Sequence, residues 1–122
     1  MKHRFQIYLP IRFPGLTEII SSSKDHPMKY SAMKKSYTDI CAAEFRLKSP
    51  AKNLAAVFLT FHWVEPNRKR DPDNIAAAKK FIIDGLVKAE IIGNDGWKHV
   101  YGFTDRWSIA DKPGVMVTVE EV

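Results

Sequence analysis

The chain has 122 residues, a length that fits one compact domain with its own hydrophobic core. Hydrophobic residues make up 45% and charged residues 27%, a balance that excludes a disordered chain, and no apolar run is long enough to cross a bilayer. The net charge of +5 gives a surface that attracts phosphate backbones through counterion release, although charge by itself does not single out nucleic acid.

The opening Met1-Lys2-His3-Arg4 lacks the apolar segment of a signal peptide, so a cytoplasmic location is expected. The one cysteine, Cys41, sits among apolar residues and is expected to be a buried small hydrophobe. His3, His26, His62 and His99 are not spaced as zinc ligands, so any metal should be a hard cation held by oxygen.

Arg4 to Leu9 alternates polar and apolar residues as a half-buried strand does, and Pro10 and Pro14-Gly15 close it. Residues 17 to 31, with Ser21-Ser22-Ser23 and His26-Pro27, read as a loop or short helical turn. From Ser31 to Lys48, Met33, Tyr37, Ile40, Cys41 and Leu47 recur at helical spacing and predict a first helix, which Ser49-Pro50 stops. Leu54 to Val64 places Val57, Leu59, Phe61 and Trp63 in alternation and predicts a second strand. A polar connection then leads to Asp71-Pro72, the start of a second helix running to about Ala89. Gly93-Asn94-Asp95-Gly96 reads as a tight turn, and Lys98 to Thr104 and Val115 to Val119 as two more strands. The order β-α-β-α-β-β, with too few helices to cover both faces of a sheet, predicts one α+β domain over residues 1–122. Its mixed sheet should carry helices mainly on one face.

The densest chemistry follows the second strand. Arg68, Lys69 and Arg70 immediately precede Asp71 and Asp73, so phosphate-seeking cations adjoin carboxylates of the kind that hold Mg²⁺. The same residues have a purely structural explanation, since Asp-Pro-Asp-Asn is a strong helix start with an N-cap, a proline at the first position and an acidic first turn. Asp95 is likewise a good turn former, and helix geometry alone does not return it to Asp71. On a continuous helix Lys80, seven residues after Asp73, shares its face, whereas Lys79 points away; Asp84 is a ready i,i+4 partner for Lys80.

Taken in order, Arg70-Asp71-Pro72-Asp73-Asn74-Ile75, Phe81-Ile82-Ile83-Asp84-Gly85-Leu86 and Gly93-Asn94-Asp95-Gly96-Trp97 resemble the signature of the RusA-like Holliday junction resolvases, their phage and prophage branch above all. The resemblance is dense over residues 61–103, with a weaker echo at Leu9-Pro10 and Pro14-Gly15-Leu16-Thr17-Glu18. It implies a homodimeric, Mg²⁺-dependent endonuclease, with Mn²⁺ an alternative cation, that cuts opposed strands of a four-way DNA junction in recombination and repair. Asp71, Asp73 and Asp95 would take the metal roles and Arg70 a DNA contact. The family lysine, one helical turn after the second aspartate, is replaced here by Ala77, and Lys80 follows a turn later as the candidate catalytic cation. Thr17 and Asn94 also depart from the family pattern, neither at an implied ligand. Arg68, Lys69, Arg70, Lys34 and Lys35 are the candidate DNA-binding cations. Two other readings stand beside the nuclease: a branched-DNA-binding protein that does not cut, and a structural protein in which these acids are caps, turns and surface charges.

Overall fold

The computed structural model describes residues 2–122. Eight elements follow in order: β1 (Arg4–Leu9), α1 (Leu16–Asp25), α2 (Pro27–Lys48), β2 (Val57–Glu65), α3 (Pro72–Ala76), α4 (Lys79–Lys88), β3 (Val100–Ile109) and β4 (Gly114–Glu121). The four strands form one mixed sheet of order β1-β4-β2-β3, so the chain is a single small α+β domain. β4 lies antiparallel to both β1 and β2, and β3 runs parallel to β2 at the edge. No helix among the described residues is long and apolar enough to cross a membrane.

The period of two fixes which face of the sheet is buried. Ile7 and Leu9 of β1, Val115, Val117 and Val119 of β4, and Val57, Leu59, Phe61 and Trp63 of β2 share one core with Cys41, Ala42 and Phe45 of α2 and Phe81, Ile82 and Leu86 of α4. The opposite face presents Gln6, Thr60, His62, Arg106 and Thr118, which line a shallow polar concavity. α2 and α4 approach closely where Gly85 meets Cys41: a Cβ at Gly85 would lie 2.5 Å from the Cys41 Cβ and 3.2 Å from the Ala42 nitrogen. Cys41 is fully buried, as its apolar setting implied.

Four predicted elements change. The stretch 17–31, expected as a loop or short helical turn, is helical over most of its length: Leu16, Ile19 and Ile20 recur at helical spacing, the Glu18 carboxylate accepts the Gly15 N–H in half of a capping box, and Ser22 is buried. Pro27 opens α2 instead of ending a loop, because proline is tolerated in a first turn. The second helix divides into α3 and α4, giving the order β-α-α-β-α-α-β-β. At the junction Ala78 N–H bonds the Ile75 carbonyl and Phe81 N–H the Ala78 carbonyl, three-residue closures that tighten the turn. The fourth change is an extension: β3 continues five residues past Thr104, to Ile109.

Candidate active site

β2 and β3 are parallel, so their carboxyl ends lie together, and a cleft of about 520 Å³ opens beyond them. Glu65, Arg68, Arg70, Asp71, Ile75, Trp107 and Ile109 are among the residues that line it. Ligands in open α/β sheets gather at such strand ends, because the loops that leave them can diverge.

The cleft rests on a buried ion pair. Glu65, the last residue of β2, is 5% exposed and receives a two-pronged contact from Arg70, with Nε to Oε1 at 2.9 Å and Nη2 to Oε2 at 2.8 Å. Arg12 adds a longer contact at 3.4 Å. Arg70 Nη1 also donates to the Phe13 carbonyl at 3.0 Å, and Asn74 Oδ1 accepts the Thr17 N–H at 3.1 Å. Two segments some 57 residues apart in sequence, Phe13–Glu18 and Arg70–Asn74, are thereby joined. The Arg70 guanidinium is therefore committed to holding the loop together. The resemblance implies a DNA contact for Arg70, and in this structure its guanidinium joins the loop, whereas Arg68 and Lys69 make no ion pair among the described residues.

Asp71 occupies the N-cap of α3, but its carboxylate makes no capping hydrogen bond. Asp73 accepts only the neighbouring Asn74 N–H, at 2.9 Å, and neither aspartate is ion-paired among the described residues. Asp95 lies elsewhere, in a second concavity formed with Trp97, Val100, Tyr101 and Phe103 at the amino end of β3. Lys80 Nζ holds it at 2.5 Å and also reaches Asp84 at 3.0 Å, the i,i+4 partner foreseen from spacing, while Lys34 approaches Asp84 from α2 at 3.8 Å. The Lys80 hydrogen bond draws the Asp95 carboxyl below the usual carboxylate range; reciprocally, the Asp95 contact raises Lys80, against the opposing effect of desolvation. Lys35 is spent on Asp39 at 3.0 Å.

The three aspartates thus do not converge within one chain, and among the described residues no three His, Cys, Asp or Glu side chains gather into a ready cation site. The donor chemistry of Asp71 and Asp73 nonetheless fits Mg²⁺, which takes one or two carboxylates and keeps waters and substrate phosphates as its other ligands.

Lys79 finds a partner that its spacing did not indicate. The tightened turn before α4 shifts the phase of every later position, and Lys79 enters the sheet side, 2.6 Å from Asp105 and 3.8 Å from the centre of the Phe103 ring. Trp63 Nε1 donates to the same carboxylate at 2.9 Å. Glu65 and Asp105 escaped the sequence reading. Their partners are remote in sequence, and the one local signal was the alternation of Phe103, Asp105 and Trp107, which continues the strand past Thr104. Set against known proteins, the chain matches no family model and no curated protein.

Proposed function

We propose that this chain is a Mg²⁺-dependent endonuclease that nicks four-way DNA junctions in the manner of the RusA-like resolvases, acting in the cytoplasm as a two-fold dimer. One observation carries the reading: Asp71 and Asp73 stand at the start of a helix beside Arg68 and Lys69, with neither a cap bond from Asp71 nor an ion pair to occupy them. Were Asp71 only a cap, its oxygen would bond an N–H of the first turn. The joining of Phe13–Glu18 to Arg70–Asn74 adds support, since both segments belong to the resemblance and nothing in their spacing requires them to meet.

Asp71 and Asp73 would hold the cation, which when bound supplies neutralisation of phosphate charge and a more acidic attacking water. Arg68 and Lys69 bind the flanking phosphodiesters. Trp107 and Ile109 give the cleft an apolar wall that limits water around the scissile group. Lys80 keeps Asp95 ionised and oriented. A junction is separated into duplexes only by two opposed cuts, and a two-fold dimer presents two sites with that symmetry.

The test is Asp73→Asn and Asp71→Asn, each measured for junction binding, nicking and thermal unfolding. Asn is as good an N-cap as Asp, so the fold and binding should survive while nicking is lost. Nicking at the wild-type rate refutes the assignment, and loss of stability with nicking retained returns the two residues to a capping role.

A further inference from the structure

β3 carries a row of large apolar side chains that the core does not use. Tyr101, Phe103, Trp107 and Ile109 fall on one face by the period of two, and Trp97 stands just before the strand. All five are exposed, from 43% for Trp107 to 98% for Trp97. β3 is an outermost strand of the sheet, so its far side has no strand beside it. The row joins two concavities: Trp97, Tyr101 and Phe103 line the one that holds Asp95, and Trp107 and Ile109 line the cleft of Asp71.

An exposed apolar row marks a binding surface, and the charges around it separate one kind of partner from another. Beside the row, Asp105 is held by Lys79 at 2.6 Å and Asp95 by Lys80 at 2.5 Å, while Asp71, in the cleft, stays unpaired among the described residues. Lys98 next to Trp97 at one end, and Arg68 and Lys69 at the other, make no ion pair among the described residues. Exposed rings, two neutralised acids and open cations at both ends suit a polyanion that also presents flat apolar faces. An unpaired nucleic-acid strand has both, phosphates for the cations and base faces for the rings. In a duplex each base is covered above and below by its neighbours, so the rings discriminate against it. Lys79 already occupies one face of the Phe103 ring at 3.8 Å, which leaves Trp97, Tyr101 and Trp107 as the freer platforms.

We infer that β3 is a docking track for an unpaired DNA strand, whose bases stack on Trp97, Tyr101 and Trp107 while its phosphates meet Lys98 at one end and Arg68 and Lys69 at the other. Tyr101 and Trp107 lie about 20 Å apart along the strand, a span of at most about six nucleotides at the roughly 3.4 Å rise of stacked bases. The stacking stands on the row and its cations and needs no bound metal. That the track leads such a strand into the cleft for cutting rests on the nuclease reading.

Fluorescence anisotropy with the full chain in chelator tests the track, since no cutting then intervenes. The probes are an oligothymidylate of about ten nucleotides, an abasic strand of the same length and charge, and a duplex of that length. The oligothymidylate should bind tighter than both. Tyr101→Ala and Trp107→Ala should each weaken it about 5- to 150-fold, the range that one stacked base supplies, and change abasic binding by less than about twofold. Tyr101→Phe keeps the ring and should bind as the wild type does. Tyr101 is 72% exposed, so its variant should fold even where Trp107→Ala does not, with circular dichroism as the check. Lys98→Ala should weaken oligothymidylate and abasic strand alike, because it meets phosphate and not base. Equal affinity for oligothymidylate and abasic strand, tighter binding of the duplex, or full affinity in Tyr101→Ala overturns the track. Light scattering supplies the last arm: a wild-type dimer that falls to the single-chain mass in Tyr101→Ala gives this face to a second copy and overturns it too. A chain that binds the unpaired strand through these rings but nicks no junction refutes the nuclease reading and leaves the track standing.

Discussion

Replacing Arg70 with alanine separates a structural arginine from a DNA-binding one. Arg70 and Glu65 have side chains only 10% and 6% exposed, and two short hydrogen bonds join them. Removing the guanidinium leaves a buried carboxylate short of its main counter-charge, which costs about 3 to 5 kcal/mol where such pairs are broken. Arg12 remains 3.4 Å from Glu65 and compensates in part, which favours the lower figure of about 3 kcal/mol. A chain of 122 residues has an unfolding entropy near 0.26 kcal/mol/K, so the midpoint should fall by about 12 °C. Arg70→Lys keeps the charge but loses the two-pronged geometry, and should fall between. The double replacement Glu65→Leu with Arg70→Met removes both buried charges and should recover most of the loss. Calorimetry of the four proteins provides the measurement. A midpoint within about 4 °C of wild type for Arg70→Ala, together with weakened DNA binding, would show that the side chain serves phosphate and not the fold.

Junction binding should weaken steeply with salt, and Arg68→Ala with Lys69→Ala should reduce the slope of log K against log[salt] by about 2; an unchanged slope removes both from the interface. Lys79→Ala should destabilise by roughly 1 to 3 kcal/mol because it strands the half-buried Asp105, whereas Lys80→Ala, in an exposed pair, should cost under about 1 kcal/mol. Equal losses would contradict the placement of the two lysines. Burial pushes the Cys41 thiol up to about 12, so it should resist alkylation at pH 8 in the native protein and react once denatured. The raised value favours the protonated form, so its contribution is whole below the ordinary thiol range and declines as pH rises between about 8.5 and 12. Asp39 carries the opposite sign: Lys88, then Lys35, hold it below the usual carboxylate range, so its contribution is lost only as pH falls below about 4. Carbon-detected titration should show Lys88→Ala returning Asp39 toward the ordinary value.

Local pattern carried the strands well. β1 was readable to the residue, and the alternation of Val57, Leu59, Phe61 and Trp63 identified the buried face of β2. The helix α1 was read as no more than a loop or short helical turn because three serines and a histidine–proline pair outweighed Leu16, Ile19 and Ile20, although Ser22 is buried in a helix. The motif residues Asp71 and Asp73 could be named from sequence, as could the Lys80–Asp84 pair, since each depends on near neighbours. What the sequence could not supply was non-local: that Glu65 would claim Arg70, that Asp105 would claim Lys79, and that Asp95 would sit at the other end of β3 from Asp71. The Lys79–Asp105 contact follows on the three-residue closures at Ala78 and Phe81, which no propensity in Ala76-Ala77-Ala78 announces.

The account is tested most directly by incubating the purified chain with a synthetic four-way junction and with a linear duplex of the same arms, each with Mg²⁺ or with chelator. Paired nicks in opposed strands of the junction, in Mg²⁺ alone and not in the duplex, are the predicted result. Junction binding without cleavage in Mg²⁺ or Mn²⁺ would contradict it and identify a branched-DNA-binding protein instead.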